Sequence, residues 1–178
     1  MMKKQILRFG LLSSLLALQI IGGCLLITGT LVIDLWIDNT EISSQNDFNS
    51  FKVNMTKEDT WNKHKDDIKY IDNVGFRLWV TNSGGSNITG ELYASTDSTL
   101  ADTAAVRAGA TLVFSGPAFT PGANYVDWPT SLKYIHNLPT LRTLLQGGVF
   151  TVYGLTTTAP FNMVIDSAEV IVTVTTGS

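Results

Sequence analysis

The chain has 178 residues, 44% hydrophobic and 15% charged, with 12 Lys+Arg against 15 Asp+Glu and a formal net charge of -3. That length fits one domain or two small ones, and so much apolar and aromatic residue excludes an intrinsically disordered chain. The charge balance excludes a nucleic-acid binder, which needs a basic stripe to neutralise phosphates.

The first predicted element is a targeting segment. Lys3, Lys4 and Arg8 form a basic start, Phe9 to Gly23 runs without a charge, and two glycines lead into Cys24. This is the layout of a secretory signal: basic region, apolar region, small residues at the cleavage site. The stretch Ile21-Gly22-Gly23-Cys24 resembles the lipobox of bacterial lipoproteins. The resemblance implies cleavage after residue 23, acylation of the Cys24 thiol, and a mature chain anchored through its N-terminus by three acyl chains, enough for stable attachment. Leu25, which is not Asp, implies delivery to the outer membrane under the sorting rule of enteric bacteria. Three other readings of this segment stay open. The charge-free run continues to Ile33, long enough for an uncleaved helix to span a bilayer, although Gly22, Gly23, Gly29 and four hydroxyl residues weaken such a helix. A plain signal peptide with an incidental Cys is the second. A pilin-type leader after Gly10 is the third, and it lacks the Glu expected near the start of a pilin's apolar stretch.

Removal of residues 1–23 takes away three of the 12 basic residues and none of the 15 acidic ones, so the net charge of 24–178 becomes -6. Such a body is not drawn to an anionic membrane surface by charge, and the lipid must hold it there. The one cysteine leaves no internal disulfide, so stability has to come from packing. Residues 24–178 are expected to form a single domain.

Along that domain, period-two alternation dominates. Leu31, Ile33, Leu35 and Ile37 alternate with Val32, Asp34, Trp36 and Asp38 in a first strand starting within about six residues of Cys24. Phe51, Val53 and Met55 alternate with Ser50, Lys52 and Asn54. Thr56 to Asp59 reads as a capping box opening a helix over 56–70, with Trp61, Ile68 and Ile71 at helical spacing. Residues 75–96 read as a hairpin: Phe76, Leu78 and Val80 alternate with Arg77, Trp79 and Thr81, a glycine turn follows, and Leu92 and Ala94 alternate with Glu91, Tyr93 and Ser95. Pairing Asn82 with Ile88 sets Arg77 opposite Tyr93 and Trp79 opposite Glu91. Further strands are expected at 110–115, 123–128, 148–157 and 162–175, the last split near Asp166. Residues 130–146 read as one or two short helices, with Pro139 in a first turn and Gly147-Gly148 as the stop. About eight strands and two helical insertions predict an all-β antiparallel sandwich, immunoglobulin-like or jelly-roll-like in strand order. The segment Val74 to Tyr93, a strand ending in Thr-Asn and a glycine turn before a return strand, resembles the central hairpin of bacterial immunoglobulin-like surface domains. That resemblance implies fold class only.

Catalytic motifs are sparse. There is no G-x-S-x-G turn. His64 sits among charged neighbours and reads as a solvated helix face, and His136 reads as a helix-end residue satisfying carbonyls. Neither has the nearby ligands a metal site needs. Asp34 and Asp38 are too far apart on a strand for a glycosidase pair. Neither Asp34, Asp38, Asn39 and Glu41 nor Asp97 and Asp102 follow the calcium-loop pattern. No metal, cofactor or enzyme activity is therefore expected.

The aromatics offer more. Trp36, Trp79 and Tyr93 fall on the face opposite each strand's apolar row, with Arg77 and Glu91 beside them, while Tyr125 and Trp128 flank a Pro-containing loop. Either the 56–70 helix covers that face and makes a second small core, or the face contacts a partner. The expected function is a non-enzymatic, lipid-anchored envelope protein with a structural or protein-interaction role. The alternative is a carbohydrate-binding module of the cell surface using Trp36, Trp79 and Tyr93.

Overall fold

A computed structural model describes residues 35–44, 48–156 and 161–176, the first stretch by its backbone alone. Among the described residues eight strands form two four-stranded antiparallel sheets, the all-β sandwich expected from the alternation. Sheet A runs β1 (Leu35–Ser44), β8 (Phe161–Thr176), β3 (Ile68–Asn82), β6 (Gly122–Val126). Sheet B runs β2 (Phe48–Asn54), β7 (Val149–Thr156), β4 (Gly90–Ser95), β5 (Thr111–Ser115). The sheets do not close on one another through hydrogen bonds. Strands β5 to β8 lie within a residue or two of their predicted positions. Residues 31–34 of the predicted first strand lie outside the described residues.

The apolar rows meet between the sheets. Ile71, Val74, Val172 and Val174 of sheet A pack with Ala94, Val113, Phe150 and Val152 of sheet B. Further along the same inner face, Val80 and Val126 pack with the loop residue Phe119. Helix α4 (Leu138–Gly147) buries Leu141, Leu144 and Leu145 in the main core. It stops where Gly148, at φ 78°, turns left-handed and donates its N–H to the carbonyls of Leu144 and Leu145, a backbone state that a residue bearing a Cβ resists.

Three local expectations are corrected. Residues 75–96 are not a hairpin: β3 lies in sheet A and β4 in sheet B, and the glycine-rich segment crosses between sheets. Asn82 is nearly fully buried, and its amide donates to the carbonyls of Ser86 and Phe119 while its oxygen accepts the Gly84 N–H. Its side chain folds the crossing rather than starting a tight turn. Second, the 56–70 helix is shorter than its spacing implies. A 3-10 turn at Met55–Lys57 is capped by Asn54, α1 spans Asp59–His64, a second 3-10 turn covers Lys65–Asp67, and Ile68 opens β3 opposite Thr176. The Thr56–Asp59 capping box does not form, since the N-cap of α1 is Glu58 and makes no side-chain cap. Short helices are marginal without tertiary support, and pairing with β8 claims Ile68 and Ile71. Third, one unexpected short helix appears, and the helical stretch expected at 130–146 forms as two helices, the first starting two residues early. α2 spans Thr103–Gly109, with the Asp102 carboxylate accepting the Ala105 N–H, and α3 spans Trp128–Ser131.

Helix α2 gives sheet B a second small core on its outer face. Val106, Tyr153, Tyr93 and Leu155 are buried there, with the Phe48 ring stacked 5.8 Å from Tyr153. Helix α3 takes over the edge of β3 where β6 ends. Buried Ser131 accepts the Phe76 N–H at 2.9 Å and donates to the Trp128 carbonyl at 2.7 Å, so the strand's exposed edge is satisfied.

Candidate functional site

The outer face of sheet A carries the constellation. Strand alternation puts Arg77, Trp79 and Thr81 opposite the inward Phe76, Leu78 and Val80, and β8 supplies Ser167 and Glu169 in register with Trp79 and Arg77. The Trp79–Val80 step is bulged against Asp166, so one extra residue of β8 enters at this face. Bulges re-aim side chains locally, and here the Asp166 carboxylate accepts the Thr81 hydroxyl at 2.9 Å. From the other side, β6 sets Tyr125 in register with Trp79. Their rings lie 4.8 Å apart, tilted by 31°, and both are exposed, Trp79 by 36% and Tyr125 by 54%. An aromatic pair directly opposite across strands is a favourable contact in its own right.

Beside this pair lies an ion pair. Arg77 donates from Nη1 to Glu169 Oε2 at 3.1 Å. The arginine side chain is about half exposed, whereas that of Glu169 is only 7% exposed. Such a carboxylate needs its partner, because a lone charge this deep keeps little of its hydration. The pair is thus held in one geometry by burial on one side and stays open to solvent on the other. In the β1–β8 register Trp36 stands opposite Glu169 and Asp38 opposite Ser167. Two rows of the sheet therefore bring Trp36, Glu169 and Arg77, and Asp38, Ser167, Trp79 and Tyr125, into line along the backbone.

The other predicted contact residues part company with this face. Because β4 belongs to sheet B, Glu91 and Tyr93 lie away from Arg77 and Trp79, which corrects the expected pairing of Arg77 with Tyr93 and Trp79 with Glu91. They meet α2 instead. Arg107 binds Glu91 at 2.8 Å and donates to the Tyr93 hydroxyl at 2.8 Å, and that hydroxyl donates to Glu91 at 3.2 Å. Burial, with the Glu91 charge beside it, holds the Tyr93 hydroxyl above its ordinary pKa. Tyr93 is only 7% exposed, so it staples α2 to the sheet and offers no surface. The covering helix is thus α2 over sheet B. Trp61 sits in the main core; on the outer face of sheet A, Trp128, Ser131 and Leu132 close over Gly75, and Trp79 and Tyr125 beyond them stay exposed.

Outside these clusters, Ser115 Oγ and His136 Nε2 come within 2.7 Å, both half-buried. His136 sits in the link between a 3-10 turn and α4, where its N–H binds the Val113 carbonyl, so its ring pairs with a hydroxyl rather than the carbonyls expected. Among the described residues no group of three or more His, Cys, Asp or Glu gathers as a metal set. Asp97 accepts from Thr99, whose hydroxyl and N–H hold its carboxyl below the usual range, and Asp102 caps α2. Asp34 lies outside the described residues.

Glu169 and Asp166 join the site without having been singled out in the sequence, and Tyr125, noted there beside a Pro-containing loop, proves to pair with Trp79. Their signals were local and weak: Tyr125 alternates in a five-residue strand, and Glu169 is the one charge between Ala168 and Val170. Compared with known protein families and with curated proteins, the chain matches none.

Proposed function

We propose that this protein is a non-enzymatic lipoprotein of the bacterial cell envelope, held by acylated Cys24 in the outer membrane, whose sandwich works by contact through the outer face of sheet A. The observation that carries the contact reading is the solvent-open Trp79–Tyr125 pair beside a buried carboxylate held by arginine. Exposed aromatics cost hydration, and a patch of them rimmed by polar groups marks an interaction site. The anchor reading rests on the basic start, the charge-free run and the Ile21-Gly22-Gly23-Cys24 stretch.

Ten residues separate Cys24 from Leu35, at most about 40 Å of extended chain, so an anchored sandwich works close to the bilayer. That distance suits a structural or adaptor role at the envelope surface. Among the described residues no helix is long and apolar enough to cross a membrane, and the segment before residue 35 lies outside them.

Mass spectrometry of the protein extracted from membranes tests the anchor. The expected N-terminus is Cys24 carrying acyl chains, and Cys24→Ser, with no thiol to acylate, loses both the acyl chains and the cleavage after residue 23. A mature N-terminus anywhere else, or an unprocessed residue 1, contradicts it.

A further inference from the structure

Resting on the reading of sheet A as the contact face, we propose that its occupant is a neutral polysaccharide, one sugar ring stacked on Trp79 and Tyr125 and its hydroxyls bound by Arg77, Thr81 and Asp166, with buried Glu169 holding Arg77 in place. The chemistry of the face selects this class. A sugar ring presents a C–H face that an aromatic π-face attracts, because the ring quadrupole is negative on its face. Its hydroxyls both donate and accept, so they need both kinds of partner nearby. The face supplies both kinds. Arg77 carries five N–H donors and among the described residues commits one of them to Glu169. Exposed Asp166 is an acceptor-only carboxylate with further lone pairs, while Glu169, buried, holds Arg77 in place.

The spacing fits as well. Same-face residues two apart on a strand are about 7 Å apart, roughly one sugar unit. The aromatic pair is therefore flanked along β3 by Arg77 on one side and Thr81 on the other, each with its carboxylate from β8. A protein hot spot uses the same Trp, Tyr and Arg but sets them in a desolvated pocket ringed by contacts that exclude water. Here ionised groups stand directly beside the aromatics. Rigidity favours the sugar too, since strand residues with paired side chains lose little freedom on binding.

Charge decides between polysaccharides. The body after Cys24 carries -6, and on this face Asp166 and Glu169 stand against Arg77 alone. An acidic polymer meets like charge both at long range and at the site. A neutral chain meets neither penalty.

The test uses the full-length processed protein in detergent, with chitohexaose, laminarin and dextran as neutral probes and alginate as the acidic one. Titration followed by tryptophan fluorescence is expected to show binding of at least one neutral probe and none of alginate. Trp79→Ala and Tyr125→Ala each weaken it about tenfold or more, while Tyr70→Ala, an exposed tyrosine at the far end of β3, leaves it unchanged. Both site residues are surface groups, so an unchanged melting temperature confirms that each variant is folded. The proposal is overturned if no neutral probe binds, if alginate binds better, or if both alanine variants bind as the parent does. Should no neutral probe bind while Trp79 is still shielded from oxidation in intact envelopes, the sugar is wrong and a protein occupies the face. Should Trp79 be unshielded there as well, the contact reading fails with it.

Discussion

Tyr153 tests whether the outer face of sheet B is a closed core or an open surface. Its side chain is fully buried, central in β7 between Ser50 of β2 and Tyr93 of β4, and its hydroxyl donates to the Asp97 carbonyl at 2.7 Å. Tyr153→Ala empties the middle of the cluster formed with Val106 and Leu155, and aromatic truncations at such sites cost about 3–5 kcal/mol. That is a large share of the roughly 5–15 kcal/mol a domain has in total. Tyr153→Phe keeps the ring and loses one hydrogen bond, at about 0.5–1.5 kcal/mol. At about 2–4 °C per kcal/mol for a domain of this size, the phenylalanine variant melts a few degrees low and the alanine variant roughly 10 °C low. Urea unfolding followed by fluorescence and circular dichroism gives both values, with the slope on denaturant unchanged. An alanine variant within about 1 kcal/mol of the parent would refute the reasoning. It would mean that α2 is not docked and that Tyr93 is open to solvent.

Two further outcomes follow from particular bonds. Ser131→Ala leaves the Phe76 N–H without its acceptor at a site with no exposed serine surface, and is expected to destabilise by about 1–3 kcal/mol; a neutral effect in urea unfolding would show that α3 does not seal the β3 edge. The acid limb of the stability profile depends in part on Asp127, whose carboxyl is held below the usual carboxylate range by the Thr130 hydroxyl and then its N–H. A carboxyl depressed in the folded state contributes stability that is present above its unfolded pKa of about 3.9 and lost as pH falls through the folded value. Melting temperature should therefore drop below about pH 4, and Asp127→Asn, which keeps an acceptor for the cap, should shrink that drop while leaving neutral-pH stability nearly unchanged. An identical acid limb in the variant contradicts the assignment.

The sandwich was legible because alternation is local and survives in single strands. Phe76, Leu78 and Val80 read as one face from sequence and form one face in the fold. What alternation cannot carry is the partner. Residues 75–96 have every local mark of a hairpin, yet β3 pairs with β8, some 90 residues away, because burying both apolar rows needs two sheets facing each other. The same non-local pairing hides Asp166 and Glu169 from the sequence, and hides that Tyr125 stands opposite Trp79. Tyr93 failed for a second reason. Its outward direction was read correctly, but α2 has a single buried apolar residue, Val106, and so lacked the periodicity that reveals a covering helix. Its Asp102 cap was the one available signal.

The central claim is that the outer face of sheet A is occupied when the protein sits in its envelope. Hydroxyl-radical footprinting of the protein in isolated envelopes and of the purified protein measures this directly, with Tyr70, 67% exposed, as the internal control. The account predicts that Trp79 and Tyr125 oxidise readily in solution and are shielded several-fold in the envelope, while Tyr70 oxidises alike in both. Equal oxidation of Trp79 and Tyr125 in the two preparations would contradict it.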